Sequence, residues 1–473
     1  MKGKLHKIEE FVLDKMQDSG LPGLSMAIVK DQKTVYARGF GQKETGGGRA
    51  TTARTLFGIG SITKSFTCMA LMQLQEKGKL SIEDPVNAYL DFKVEPEEKQ
   101  IRIKHLMTHT SGIPALAYAE AKILHAVDED IPDVPIGDVD DMVTYMQESR
   151  DWTETEPGER WFYLNEGYVL LGGIIEQVSG NSYQKYMREQ ILKPLGMNRS
   201  YFEQEKVEND SDVACPYLVH DNERSVQSYL YGSITSDGGL ISSAEDMARY
   251  LKLYLAGGNE NIISKRSLKE MMQPRVSTPA RSLYDYDENE NRIEANYRQD
   301  TSPRYYGYGL GREDDFMGYT KIGHGGSVLV STAQMDFIPE ENLGIVLLAN
   351  GSGYPMSQFS RYALALLLDE DPDRLSFRQA EVKLEELAGR YHGYKDNYQI
   401  KIERKGDMLR LKNVSSSLGE EEILLPQELG EEKIVCFIIR GGRRIPVEFY
   451  KRDDKIELLY GRYKLKKISS NRV

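Results

Sequence analysis

Leu56-Phe57-Gly58-Ile59-Gly60-Ser61-Ile62-Thr63-Lys64 is an apolar run with two glycines that ends on a serine and, three residues later, a lysine. Phe66, Met69, Ala70 and Leu74 follow at helical spacing, and Gly78 reads as the stop. The pattern predicts a buried helix opening at Ser61. Residues i and i+3 share a helix face, so Lys64 points its amine at the Ser61 hydroxyl. A serine hydroxyl is a weak nucleophile until a base takes its proton, and an amine shielded from water is such a base. The helix N-terminus favours negative charge on Ser61 Oγ. A lysine at the start of a buried helix is costly unless used or paired. The same spacing recurs at Ser182 and Lys185, where Ser182 reads as an ordinary N-cap.

Upstream, residues 23–29 and 34–40 are apolar or alternating runs split by Lys30-Asp31-Gln32-Lys33, a hairpin signal. An amphipathic helix over 8–16 precedes them; it lacks the continuous apolar stretch of a signal peptide. Downstream, residues 84–255 are mostly helical in pattern, most clearly at 169–178 and 244–255. Strands return at 331–338 and 343–349 around Pro339-Glu340-Glu341-Asn342, and a helix over 355–368 closes the segment. Strands at both ends with helices between predict one α+β domain whose sheet draws on both ends. Residues 276–304 are polar and read as a surface flap or a lid over substrate.

Asp369-Glu370-Asp371-Pro372-Asp373 ends this first domain, placed at 1–372. A linker over 373–390, with a short helix at 380–387, leads to a second domain at 391–473. Short strands at 398–402, 408–411, 433–439, 445–450, 456–460 and 463–468, joined by tight polar turns, predict a small antiparallel β-barrel or sandwich. Assembly of copies through its exposed strand edges is expected.

Composition bounds the function. The chain has 473 residues, 40% hydrophobic and 28% charged, with net charge −12, which disfavours nucleic acid and anionic membranes as partners. No stretch approaches the roughly 18 uninterrupted apolar residues of a membrane helix. The 3 cysteines, Cys68, Cys215 and Cys436, are far apart and odd in number, pointing to a reducing compartment; the cytoplasm is the default. There is no Cys-x-x-Cys pair, and His105 and His109, spaced like zinc ligands, have neither an adjacent glutamate nor an evident third ligand. They read as structural, and no metal or cofactor is expected.

Acyl transfer needs a nucleophile, a proton shuttle and donors for an oxyanion. Ser61 and Lys64 supply the first two. Pro157-Gly158-Glu159-Arg160-Trp161-Phe162-Tyr163-Leu164-Asn165 offers a second tyrosine-based proton carrier, Tyr163, with Asn165 placed to bond substrate and Lys64. Gly323-His324-Gly325-Gly326-Ser327 precedes a core strand. Its glycines let a substrate lie along the strand edge, and the Ser327 N–H, with that of Ser61, completes an oxyanion hole.

The order Ser-x-x-Lys, Tyr-x-Asn, His-x-Gly resembles the class C β-lactamase and D-alanyl-D-alanine carboxypeptidase superfamily. The stretches 103–114 (IKHLMTHTSGIP), 157–168, 194–197 (PLGM) and 238–243 (GGLISS) extend the likeness over about residues 8–365. Within it the chain looks closest to the cytosolic CubicO-type serine peptidases of archaea, which carry a C-terminal lipocalin-like barrel. The resemblance implies an antiparallel sheet flanked by helices plus a helical subdomain, then a small all-β barrel. It implies Ser61 as the acylated nucleophile, Lys64 and Tyr163 as proton carriers, and Asn165, Gly325, Gly326 and Ser327 around the substrate. His324 stands where β-lactamases place a lysine for the substrate carboxylate. That departure favours a peptidase or esterase over an antibiotic hydrolase, and a peptidase acting on short peptides, some with D-residues, is the first expectation. A carboxylesterase, a weak β-lactamase and a non-catalytic scaffold or ligand-binding protein are the alternatives. Whether Lys64 or Tyr163 is the acylation base stays open.

Overall fold

The computed structural model describes residues 1–94, 100–128, 130–220, 223–229, 235–279, 284–286, 292–294, 303–406, 408–414, 421–440, 443–452 and 455–468. Most of the segment 276–304 expected as a flap or lid lies outside the described residues.

The chain forms two compact units. In the first, helix α1 (Lys2–Ser19) turns Ile8, Phe11, Val12 and Met16 inward at spacings of three and four. It outruns the expected 8–16 at both ends because its flanks carry lysine and glutamine, which suit helices without needing burial. Strands β1 (Gly23–Lys30) and β2 (Lys33–Glu44) make the expected hairpin, with Leu24 opposite Phe40 and Ala27 opposite Ala37. Then come β3 (Arg49–Ala50), helices α2 (Thr63–Glu76), α3 (Asn165–Ser179) and α4 (Ala244–Leu255), and strands β4 (Val276–Ser277), β5 (Arg304–Tyr306), β6 (Gly311–Phe316), β7 (Tyr319–Ser327), β8 (Thr332–Ile338) and β9 (Leu343–Ala349). Helix α5 (Met356–Leu367) closes the unit.

The nine strands form one sheet, ordered β3-β2-β1-β9-β8-β7-β6-β5-β4. The first strand therefore lies beside the last, Met26 opposite Leu347, and both ends of the segment build one sheet as the sequence pattern implied. Strands β8 and β9 are buried along their whole length; β9 reads accordingly as a near-continuous apolar run, while β8 also buries Thr332, Gln334 and Asp336. Their connection ends on Asn342 at φ 47, a left-handed position that asparagine tolerates. Helix α4 packs on β1 and β9, and its N-cap Ser243 accepts from the Asp246 N–H. Helix α2 packs against α3, and the two carry the site.

The second unit opens with helix α6 (Ser376–Leu387), in the span expected above to be a linker. Its Leu384 and Leu387 are buried in the core of the strands that follow. Those are β10 (Gly389–His392), β11 (Gln399–Lys405), β12 (Met408–Asn413), β13 (Glu421–Leu429), β14 (Lys433–Arg440), β15 (Arg443–Arg452), β16 (Lys455–Tyr460) and β17 (Tyr463–Lys467), which form a closed antiparallel barrel. Tyr391 of β10 pairs with Lys467 of β17 to close it. Ile400, Ile402, Leu409, Leu411, Ile434, Cys436, Val447, Phe449 and Leu458 alternate inward to fill it. Closure corrects one expectation: the strands form a closed barrel, which leaves no free sheet edge among the described residues for assembly through exposed edges. All three cysteines are free thiols. No helix among the described residues is long and apolar enough to cross a membrane.

Candidate active site

Ser61 sits in a single 3-10 turn, Gly60–Ile62, that feeds directly into α2. The turn is tight because two backbones meet there. Gly60 has φ 51, and a Cβ on it would lie 2.7 Å from the Ser327 nitrogen. A Cβ on Gly326 would lie 1.9 Å from the Ile59 carbonyl oxygen and 3.1 Å from the Ser61 nitrogen. Only glycine permits this approach, which sets the end of β7 against the start of the helix.

Lys64, the second residue of α2 and one turn after Ser61, is completely buried, 0% exposed. Its Nζ donates to Ser61 Oγ at 3.1 Å, to Asn165 Oδ1 at 2.8 Å and to the Asp237 carbonyl at 2.7 Å. All three partners are uncharged oxygens. The Nζ also lies 4.9 Å from the centre of the Tyr163 ring and 5.3 Å from that of Tyr168. Ser182 behaves differently: its hydroxyl accepts from the Lys185 backbone N–H as the N-cap of a short helix, as its surroundings implied.

Tyr163 is bracketed by His109. The His109 carbonyl accepts from the Phe162 N–H at 2.8 Å, its Nδ1 accepts from the Leu164 N–H at 2.9 Å, and its ring lies 4.1 Å from the Tyr163 ring, tilted 32°. His109 itself holds φ 59, an unusual conformation for a side-chain-bearing residue. Burial, with Lys64's charge adding, keeps its imidazole well below the ordinary histidine range, so it is neutral. His105 supports a different stretch of backbone. Its Nδ1 accepts from the Arg102 N–H, and burial lowers it to about 4. The sequence marked both histidines as structural; what it did not show is that His109 is the support of Tyr163.

His324 lies on β7, its ring centre 6.3 Å from that of Tyr163. Its Nδ1 is 2.5 Å from the Gly325 carbonyl and its Nε2 is 2.8 Å from the Tyr306 hydroxyl. A carbonyl only accepts, so Nδ1 carries the proton and Nε2 accepts from Tyr306. Burial lowers His324 to about 4, so at neutral pH it is an uncharged ring with both nitrogens engaged. Tyr306 was absent from the sequence expectations, and nothing in its local sequence marks it; β5 delivers it from the far end of the sheet. Ser61, Lys64, Tyr163, Asn165, His324, Gly325, Gly326 and Ser327 thus occupy one region formed by α2, α3 and β7.

Behind Lys64 lie two further buried acids. Asp237 is 2% and Glu166 1% exposed, and burial pushes each carboxyl up to about 6. Tyr118 joins them: its backbone N–H donates to Glu166 Oε1 at 3.0 Å, and its hydroxyl faces Asp237 at 3.4 Å.

Comparisons with known proteins bear on the fold that carries this arrangement. The model of the beta-lactamase family matches residues 8–370, and a model described as the Pab87 octamerisation domain matches residues 372–466. The solved structure of an octameric penicillin-binding protein homologue from Pyrococcus abyssi is similar over 98% of this chain and 100% of its own, at TM-score 0.85 and 40% identity. A penicillin-binding protein from Bacillus halodurans is similar over 75% of this chain and 97% of its own, at TM-score 0.58 and 25% identity. The putative penicillin-binding protein PbpX of Bacillus subtilis (strain 168) is 29% identical over 269 residues, 56% of this chain and 61% of PbpX. The chain spans about half the length of the curated relatives it matches. With the family match running from α1 past α5 and a sheet assembled from both ends of that segment, this chain belongs to the beta-lactamase family, and its second unit to the Pab87 octamerisation domains.

Proposed function

We propose that this chain is a serine hydrolase that works through an acyl-enzyme on Ser61, acting on short peptides, including ones with D-residues. The observation that carries the reading is the 3.1 Å contact between Lys64 Nζ and Ser61 Oγ inside a fully buried lysine environment. A neutral amine has two hydrogens and one lone pair. The Asn165 and Asp237 oxygens only accept, so they take the two hydrogens. The lone pair then faces Ser61 Oγ, the one partner with a proton to give. This favours Lys64 over Tyr163 as acylation base.

In the proposed cycle Ser61 Oγ bonds to the scissile carbonyl carbon as its proton passes to Lys64. The carbonyl oxygen gains the electron pair and is met by the Ser61 and Ser327 N–H groups. Collapse expels the amine, which receives the proton by way of Tyr163. Water then attacks the Ser61 ester by the reverse proton path. Neutral, fully engaged His324 offers no charge to a substrate carboxylate, which supports peptide and ester substrates over β-lactam antibiotics. We also propose that the barrel unit mediates self-association, as the domain family it matches and the octameric homologue suggest.

Intact-mass measurement after fluorophosphonate treatment tests the core claim. A single adduct on the wild type, absent from Ser61→Ala, is expected; an unlabelled wild type or equal labelling of both sinks it. Turnover of p-nitrophenyl esters, nitrocefin and short D- and L-peptides ranks the substrates.

A further inference from the structure

We propose that Thr63, which stands just before Lys64, is a positioning residue for the oxyanion hole: its side chain holds the Gly60–Ser61 peptide so that the Ser61 N–H is aimed at the substrate oxygen. The inference rests on the Ser61 acyl-enzyme reading and deepens it.

Thr63 is the first residue of α2 and is 0% exposed. Its Oγ1 donates to the Gly60 carbonyl at 2.7 Å and accepts from the Leu240 N–H at 3.2 Å. Its backbone N–H also donates to the Gly60 carbonyl, so one residue meets that oxygen twice. A hydroxyl bonded to a carbonyl three or four residues earlier is ordinary on a helix, and Ser65 and Thr67 do the same on α2. What sets Thr63 apart is the peptide it holds. The Gly60–Ser61 peptide is trans and planar, so its C=O and N–H point in opposite directions. Fixing the Gly60 carbonyl therefore fixes the direction of the Ser61 N–H.

Gly60 needs that restraint. It sits at φ 51 without a side chain, and glycine moves freely between backbone conformations, so the residue itself does little to hold the plane of the next peptide. Thr63 in turn is held from the other side of the turn. The Leu240 N–H on its Oγ1, with the Ile59 N–H on the Leu240 carbonyl at 3.0 Å, ties the turn to the strand Ile241–Ser243, which pairs with Leu56–Gly58. The Ser61 nitrogen lies against Gly326 and the Ser327 nitrogen against Gly60, so both proposed donors sit at the one close approach between β7 and this turn. Two hydrogen bonds on the Gly60 carbonyl also draw electron density through the amide, which strengthens the N–H at its other end.

The test reads the oxygen on which charge develops. Labelling rates of Ser61 on the full chain are measured by intact mass with a fluorophosphonate and with the same probe carrying P=S in place of P=O. Sulfur is a weak hydrogen-bond acceptor, so an oxyanion hole favours the P=O probe. Thr63→Val keeps the shape and removes the hydroxyl. The P=O rate should fall about tenfold, less than the 10²–10³ lost with a whole donor because the Ser61 N–H remains, and the P=S rate much less. The P=O/P=S ratio therefore collapses towards one. Thr63→Ser should keep the wild-type ratio. Thr63→Cys, whose thiol is a weak donor, should lower it by less than valine and serves where the valine variant does not fold. A residue that only packs would lower stability and leave the ratio untouched. An unmoved ratio in Thr63→Val and Thr63→Cys, or a ratio lost equally in Thr63→Ser, overturns this inference while a labelled wild type upholds the acyl-enzyme reading. A wild type that does not label at Ser61 removes both.

Discussion

Glu166 should be a liability at neutral pH. Its side chain is 1% exposed; Oε1 takes the Tyr118 N–H at 3.0 Å, and Oε2 has no partner among the described residues. Burial raises the carboxyl from 4.5 to about 6, so the folded state binds the proton more tightly than the unfolded chain does. A raised carboxyl contributes stability that is complete below about pH 4.5 and lost as pH climbs through about 6. At 1.36 kcal/mol per pH unit the loss is about 2 kcal/mol. Glu166→Gln keeps the acceptor for Tyr118 and cannot ionise. The amide also buries an unpartnered donor, but so does the protonated acid, and this cost is the same at every pH. The expected result is that the variant's stability relative to wild type is about 2 kcal/mol more favourable at pH 7.5 than at pH 4.5. Urea denaturation followed by tryptophan fluorescence reads this cleanly, because both tryptophans, Trp152 and Trp161, belong to the first unit. An effect of equal size at the two pH values would refute the idea that an uncompensated buried carboxylate sits at Glu166.

His109→Ala removes the acceptor of the Leu164 N–H and the ring against Tyr163; kcat for p-nitrophenyl ester hydrolysis should fall by about 10- to 100-fold with KM little changed, and an unchanged kcat in a folded variant would show that Tyr163 needs no such support. Arg361→Ala strips the two-pronged bond, at 2.6 and 3.0 Å, from Glu313, which is 3% exposed; a destabilisation of about 3 kcal/mol in the first unit is expected by urea denaturation. Leu384→Ala opens a cavity under the barrel and should cost about 3 kcal/mol, seen as faster amide hydrogen exchange in β10 to β17; unchanged exchange would mean that α6 is not part of the barrel's core.

What the sequence disclosed follows from how local each signal is. The β1–β2 hairpin, α2, α4 and the β8–β9 pair each announce themselves within a dozen residues through apolar periodicity and a turn. Two barrel strands were not legible. Strand β10 is four residues long, and β13 carries Pro426 and a run of glutamates with only Leu424 fully inward, so neither shows an alternating apolar pattern. At the site, Ser61, Lys64, Tyr163 and Asn165 were legible because two short motifs hold them. Asp237, Tyr118 and Tyr306 were not, since each comes from a different part of the chain. Glu166 left a trace: it is an acid between a motif asparagine and the apolar run Gly167-Tyr168-Val169-Leu170-Leu171.

The placement of ionisable groups separates the two units in kind. The barrel's pairs, such as Lys412–Glu421 and Lys433–Glu448, lie at the surface, where they add little stability and ask for little. Around Ser61, by contrast, Lys64, His109, Glu166 and Asp237 are all withdrawn from solvent within one small region, and His324 is held neutral beside them. A fold selected for stability alone would fill that region with aliphatic side chains, as it does along β9. Burial pushes the Glu166 and Asp237 carboxyls up and the His109 and His324 imidazoles down, so each of these four disfavours its own charged form. In the proposed cycle Lys64 takes the Ser61 proton inside this withdrawn cluster, with bulk water kept from the exchange. If Glu166→Gln stabilises the protein at pH 7.5 and leaves Ser61 labelling unchanged, the cost of that buried carboxyl accompanies the site rather than serving it.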